Sequence, residues 1–420
     1  MIGRGGVESM LKYHAVGFDM NHTLVRYRLK PFVKHLYEAM CVFLVNQRGY
    51  TQDVFPADEA EEHRVFAMFF RAVFDHKTGF LLKMSGTQQV MRAFSGFERV
   101  SDEEILRVYG NPPTLQNYDP QDSHSQGITT FDEYHAAVRS PLLARLVELR
   151  KKGNAHLAAK DFREIVADVT AAAEHNLRIT DREALEGCGY PGYFLPEFLS
   201  HPRRYVYPVQ KAVLERLSSL RRRGAVTFLI SNAYYHIANI LMTTAIGPDW
   251  RDYFTFMVFE AGKPDFFDLN VRTPKPFRVL DGSEGSLKRV LAADTPAEER
   301  VLQGGHASLI NRHFFKHISK NFRIAYFSDT IAVKPELARG ETPQQNWDII
   351  LILEELQELE YGMSEEEYYN TTAMWGSSLF DRNLAENGLE PTATMYFAEN
   401  YARRAFSRLD AEDCLEAFQI

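Results

Sequence analysis

The stretch Ala15-Val16-Gly17-Phe18-Asp19-Met20-Asn21-His22-Thr23 decides the fold. Four small or apolar residues run straight into a carboxylate. A short apolar run bounded by polar residues is how a buried strand of a parallel sheet reads, because both of its faces are covered and no polar alternation is required. Four more runs have the same character: Val226–Ile230, Phe256–Phe259, residues 324–327 and residues 349–353. Helical patterns accompany them at Lys211–Arg222, residues 234–244 and residues 308–320. Consecutive strands are therefore joined by right-handed crossovers, and the fold class is α/β.

Working outward, the first two strands are separated by far more chain than a crossover needs. Its patterns are mostly helical, at residues 33–46, Asp102–Tyr109, residues 140–151 and residues 162–176, which predicts an inserted cap. The chain returns through Gly189-Tyr190-Pro191-Gly192-Tyr193-Phe194. The expected division is a split α/β core at residues 1–30 and 205–360, a helical cap at 31–204, and a C-terminal extension at 361–420 packing on the core with a helical end over 397–418. Residues 281–305 read as an elaborated loop or hairpin. Such a division suits 420 residues, because a single core stops growing near ~250–300 residues.

The net charge of −8 is spread among mixed acids and bases, which gives no footprint for a nucleic-acid backbone. The sharpest basic run, Arg221-Arg222-Arg223, precedes Gly224 and reads as favourable charge at a helix C-terminus. Cys41, Cys188 and Cys414 form no CxxC pair, which argues against a disulfide framework or a zinc site. No apolar leader and no long uninterrupted apolar window is present, so the expected compartment is the cytoplasm, with a processed organellar (mitochondrial) form as the alternative, and no membrane partner.

Ligands of open α/β sheets collect beyond the carboxyl ends of the strands. The residues found there are Asp19 to Thr23, then Ser231-Asn232, then Lys263-Pro264, then Ser328-Asp329. Taken singly, each reads as a helix cap or a surface turn. Together they supply what Mg²⁺-dependent phosphoryl transfer requires. Asp19 is placed to attack phosphorus, Ser231 and Lys263 to hold the transferring oxygens, and Asp19 with Asp329 to bind Mg²⁺. Asp19, Thr23, Ser231, Lys263 and Asp329 are accordingly expected to converge on one cleft.

The order of these segments resembles the four motifs of the haloacid-dehalogenase (HAD) superfamily. Gly17 to Leu24, Phe228-Leu229-Ile230-Ser231-Asn232 and Gly262-Lys263-Pro264-Asp265-Phe266-Phe267 look like the cytosolic 5'-nucleotidase family, and within it the 5'-nucleotidase domain-containing protein 1 subgroup. Gly79-Phe80-Leu81-Leu82-Lys83, Glu174-His175-Asn176, Pro276-Phe277-Arg278 and Trp375-Gly376-Ser377 extend the likeness over nearly the whole chain. The resemblance implies a HAD-type Rossmann-like core with a large helical cap, and hydrolysis of phosphomonoesters through an aspartyl-phosphate on Asp19. It also implies Mg²⁺ held by Asp19, the backbone carbonyl of residue 21 and Asp329. Substrate contacts are implied at Ser231, Asn232 and Lys263. Glu174 matches an acidic base-reading position, with Thr170 where a basic residue stands, and Phe131 and Asp132 lie near a base-stacking position.

Two departures bear on the chemistry. The family's first motif has Asp where this chain has Asn21, so the titratable acid/base is gone, a loss of ~10²–10⁴ in rate. A further Asp of the fourth motif is Lys334 here, which puts a cation where a metal ligand stands; Glu336, beyond Pro335, is poorly spaced to replace it. The expected function is thus a 5'-nucleotidase-like phosphohydrolase with impaired or lost catalysis, binding a nucleotide or small phosphomonoester. The alternative is a pseudoenzyme serving as a binding or scaffold subunit for a protein partner.

Overall fold

The fold comes from a computed structural model that describes residues 13–116, 118, 127–131, 134–177, 192–263, 265–268, 273–281, 287–291, 300–314, 323–329, 347–352, 374–376, 380–385, 388–393, 404–406, 409 and 414. They fall into two compact units. The first is drawn from Met1–Arg28, Pro202–Gln357 and Phe397–Ile420, the second from Leu29–His201 and Glu358–Tyr396. The stretch expected to extend the core is therefore shared: residues 374–393 belong to the second unit.

Among the described residues the first unit is built on a nine-stranded sheet. Across it the strands run Leu287–Val290, Phe277–Leu280, Val301–Gly304, Phe256–Phe259, Val226–Ile230, Ala15–Phe18, Ile324–Ser328, Trp347–Ile352 and Arg404–Phe406. All neighbours are parallel except those involving Phe277–Leu280, which pairs antiparallel with both of its neighbours. The hairpin foreseen after residue 280 is real. The helical end foreseen at 397–418 is corrected at Arg404–Phe406, a strand parallel to Ile350–Ile352. Helices Lys211–Arg222, Tyr235–Ala245 and Ala307–Phe314 lie where the periodicity placed them. Lys211–Arg222 ends as the basic run predicted, with Gly224 just beyond it at φ 85°.

Burial is continuous along the central strands, as covered faces require. Phe228, Phe256, Tyr326 and Trp347 fill one apolar cluster, while Phe18 stacks on Phe327 with ring centroids 5.0 Å apart. Gly17 lets this happen, since a Cβ there would come within 2.2 Å of the Phe228 ring.

The second unit carries the expected helices at Leu29–Arg48, Asp102–Tyr109, Arg139–Lys151 and Phe162–Leu177. It also has a five-stranded antiparallel sheet, whose order is Glu98–Arg99, Val90–Ser95, Phe80–Met84, Ala72–Asp75 and Ile128–Phe131. Phe131 is wholly buried in that sheet, opposite Ala72. Asn176, on the helix Phe162–Leu177, is buried too, and its side-chain oxygen accepts from the backbone N–H of Tyr193 (2.8 Å) and Phe194 (3.2 Å).

A buried charge cluster ties the C-terminal segment into this unit. Lys83 Nζ donates to Asp381 Oδ2 (2.7 Å) and to the carbonyl of Trp375 (2.8 Å). Arg92 grips the same carboxylate through Nε (2.7 Å) and Nη2 (3.0 Å), and reaches the carbonyl of Met374 (2.8 Å). Trp375 stacks flat on Phe70. Gly376 sits at φ 79°, and a Cβ there would press within 2.8 Å of Asp381 and 2.9 Å of Arg92. The motif Trp375-Gly376 is thus a packing element. Of the cysteines, Cys41 and Cys414 are buried and unbridged, and Cys188 lies outside the described residues. No helix among the described residues is long and apolar enough to cross a membrane.

Removing one partner from a buried, hydrogen-bonded ion pair strands the other charge and costs about 3–5 kcal/mol. Asp381→Ala, which leaves Lys83 and Arg92 without their shared carboxylate, is expected to lower the denaturation midpoint by a corresponding amount in urea unfolding followed by circular dichroism. An unchanged midpoint would show that the cluster is not a stabilising clamp.

Candidate active site

The candidate site lies in the first unit, where three adjacent parallel strands end: Val226–Ile230, Ala15–Phe18 and Ile324–Ser328. Register sets the positions. Phe18 is opposite Leu229 on one side and Phe327 on the other, so Asp19, Ser231 and Ser328 emerge close to one level. The backbone N–H of Asp19 still donates to the carbonyl of Phe327 (2.8 Å), which holds its side chain at the sheet's edge.

Beyond Asp19 the chain closes a compact turn. The N–H groups of Leu24 and Val25 both donate to the carbonyl of Met20 (3.0 and 2.8 Å), and that of His22 donates to Val25 (2.9 Å). His22 takes φ 53° to allow the reversal, a conformation rare for a residue with a side chain. The turn brings Asn21 and Thr23 back beside the strand end. Thr23 is 2% exposed, and its hydroxyl has no hydrogen-bond partner among the described residues. Such a group costs about 1–3 kcal/mol in an unliganded protein.

Asp19 is the centre of the arrangement. One carboxylate oxygen accepts from the N–H of Met20 (2.7 Å), and the other forms an ion pair with Lys263. Ser328 Oγ stands 3.5 Å from that second oxygen. Lys263 also lies 3.4 Å from the carbonyl of Ile230, and both members of the pair have side chains less than a tenth exposed. A second contact fixes the lysine. Asn232 receives the N–H of Lys263 on Oδ1 (2.7 Å) and donates from Nδ2 to the Lys263 carbonyl (3.1 Å). Asn232, foreseen as a substrate contact, is therefore also the brace of the lysine's loop. Ser231 is fully buried, and its Oγ accepts from the N–H of Ala233 (3.1 Å).

Asp329 is buried at the end of the neighbouring strand. Beneath the cluster lies Tyr326, whose hydroxyl is 3.4 Å from the carbonyl of Ile230. Burial pushes its phenol well above the ordinary range, and the charges of Asp19 and Asp329 push the same way. Because Phe18 and Phe327 are paired in parallel register, Asp19 and Asp329 both follow strands that end at the same end of the sheet.

The structure thus brings Asp19, Lys263 and Ser328 into direct contact, with Asn21, Thr23, Ser231, Asn232 and Asp329 on the flanking strand ends and turns. Glu174 is exposed on the helix Phe162–Leu177 of the second unit. Lys334, Glu336 and Asp132 lie outside the described residues. Sequence reasoning passed over Tyr27, whose hydroxyl donates to Asn21 Oδ1 (2.7 Å), and Tyr326. The first follows an extended run, Val25-Arg26-Tyr27-Arg28, in which alternation singles it out.

An α/β sheet with a carboxylate and an ammonium paired at its strand ends defines a class, and the chain belongs to the 5' nucleotidase family, whose sequence profile matches residues 9–403. Human 5'-nucleotidase domain-containing protein 1 is 26% identical over 356 residues, 83% of this chain and 73% of that protein. The bovine protein of the same name is 25% identical over 366 residues, 85% of this chain and 76% of its own length. Human 5'-nucleotidase domain-containing protein 2 is 24% identical over 288 residues, 67% of this chain and 50% of that protein.

Thr23→Val replaces an unsatisfied buried hydroxyl by a methyl of the same shape. The protein is expected to gain about 1 kcal/mol, seen as a higher unfolding midpoint. A loss of stability on this substitution would mean that the hydroxyl already has its partner.

Proposed function

We propose that the strand-end cluster holds the phosphoryl group of a nucleoside 5'-monophosphate or another small phosphomonoester, and that its hydrolysis is slowed or lost. The observation that carries this is the buried Asp19–Lys263 ion pair at the strand ends; the buried Thr23 hydroxyl, four residues on from Asp19, has no partner among the described residues. Lys263 and Thr23 are donors suited to phosphoryl oxygens, and Asp19 is a carboxylate aimed at the same place.

In a reaction of the HAD type, an Asp19 oxygen would attack phosphorus as the bond to the ester oxygen breaks, leaving an acyl phosphate and an alkoxide that needs a proton. Water would then attack phosphorus, give up a proton and release phosphate, restoring Asp19. Both proton transfers fall to position 21. Asn21 has no proton to give in this range and no capacity to accept one, so the leaving alkoxide and the attacking water must exchange protons with solvent.

The residues fit Mg²⁺. Asp19 and Asp329 are buried hard oxygen donors following neighbouring parallel strands, and magnesium commonly uses one or two carboxylates with carbonyl and water. Asp19, the Asn21 carbonyl and Asp329 would hold the ion, and its charge would offset that of the phosphoryl oxygens. Lys334 at the family's further Asp position argues for weak binding.

A second reading rests on the same two replacements. With proton handling and one metal ligand both altered, the chain is a phosphate-binding pseudoenzyme, and a protein partner is where such a module would act.

The experiment is Mg²⁺-dependent phosphate release from a panel of nucleoside monophosphates, with Asp19→Asn as the blank. Asn21→Asp restores the proton donor and Lys334→Asp the metal charge. Because they repair different steps, the double reversion is expected to exceed the product of the single gains. Robust wild-type turnover that vanishes in the blank would refute the impaired-catalysis reading. No activity in the double reversion would favour the pseudoenzyme.

A further inference from the structure

Position 21 lacks an acid, yet its side chain is held in place. The Tyr27 hydroxyl donates to Asn21 Oδ1 at 2.7 Å, and Tyr27 is only 3% exposed. Among the described residues this is the hydrogen bond that the Asn21 side chain makes, and Asn21 is half-buried.

Tyr27 is fixed in turn by the backbone. It bridges to Val206, and the ladder continues on either side, from Arg28 N–H to the Tyr205 carbonyl (2.7 Å) and from Tyr207 N–H to the Arg26 carbonyl (2.9 Å). Arg26 and Arg28, its alternating neighbours, place their guanidinium carbons 5.3 and 4.1 Å from the centre of the Tyr207 ring. In an extended ladder this sends the Tyr27 side chain the other way, toward Asn21.

A carboxamide has an oxygen that accepts and a nitrogen that carries two donors. With the oxygen engaged by the phenol, the nitrogen is the group left for a ligand. Two residues on, the buried Thr23 hydroxyl also has no partner among the described residues.

We infer that Tyr27 is a positioning residue: by engaging Asn21 Oδ1 it presents the Asn21 amide nitrogen to the bound ligand, so that position 21 donates a hydrogen bond to a phosphoryl or ester oxygen where an acid would surrender a proton. The inference rests on reading the strand-end cluster as a phosphomonoester site. It converts a lost catalytic group into a specificity element for a dianion rich in acceptors.

The test is a double-mutant cycle on the full chain, reading inorganic phosphate affinity by calorimetry at neutral pH without Mg²⁺. Asn21→Ala is expected to weaken binding between about twofold and tenfold, the worth of a neutral hydrogen bond. Tyr27→Phe should weaken it by part of that factor in the wild-type background and not at all in the Asn21→Ala background, because it acts only through Asn21. A merely structural Tyr27 would lower affinity equally in both backgrounds, and that result overturns the inference. So does a neutral Tyr27→Phe. Asn21→Asp is a check that leaves the phenol its partner: ionised at the neutral pH of this titration, a carboxylate offers acceptors only and should bind phosphate more weakly than Asn21→Ala, whatever proton it supplies during turnover. Wild-type affinity in Asn21→Asp would also overturn the proposal. If the wild-type chain binds no phosphate and Lys263→Ala changes nothing, the phosphomonoester reading itself fails and takes this inference with it.

Discussion

The pairing of Asp19 with Lys263 is the contact on which the site depends. It joins residues 244 positions apart, one from the strand that opens the α/β unit and one from a loop reached only after the chain has left that unit and returned. Taking two charges out of water costs several kcal/mol each, so the pair persists only where geometry and added hydrogen bonds compensate. The compensation is visible: the Met20 N–H on one carboxylate oxygen, Ser328 near the other, and the Asn232 amide clamped on the backbone of Lys263. Register does the rest, because parallel strands that end together bring their following residues together.

That logic explains what the sequence disclosed. An apolar run followed at once by Asp, Ser or Asp marks a strand end whatever lies between, and the strands at Ala15–Phe18, Val226–Ile230 and Phe256–Phe259 have the bounds that the pattern predicts. Side-chain pairing was less legible. Asn232 reads as a ligand contact by resemblance and acts as a brace by geometry, and alternation at Val25–Arg28 singles out Tyr27 but not its partner, which takes the pairing of residues 26–28 with 205–207. The antiparallel sheet of the second unit escaped for a different reason. Its strand Phe80–Met84 buries Lys83, and its strand Val90–Ser95 carries Arg92, so alternation of apolar and polar residues is broken by cations whose carboxylate, Asp381, lies almost three hundred residues further on. Arg404–Phe406 is too short for either periodicity to register.

Under the proposed function the site separates two tasks that a phosphatase combines: Lys263, Thr23 and the amide of Asn21 would supply donors to a bound phosphoryl group, whereas position 21 would move no proton. Electrostatic holding survives the loss of an acid because it depends on fixed charges and dipoles, which the ladder around Tyr27 and the turn at Met20–Val25 keep in position. Retention of the first and erosion of the second is the physical difference between recognising a phosphomonoester and cleaving one.

The interleaving of the two units has a consequence for how the chain is made. Passing from N- to C-terminus, the polypeptide changes unit after Arg28, His201, Gln357 and Tyr396. Neither unit is therefore complete until both of its distant segments have been made: the second must wait for Asp381 to neutralise Lys83 and Arg92, and the sheet of the first for the strand Arg404–Phe406. Until then the nascent chain carries two cations without their shared carboxylate and a sheet without one of its strands, the period in which a chaperone has the most to protect.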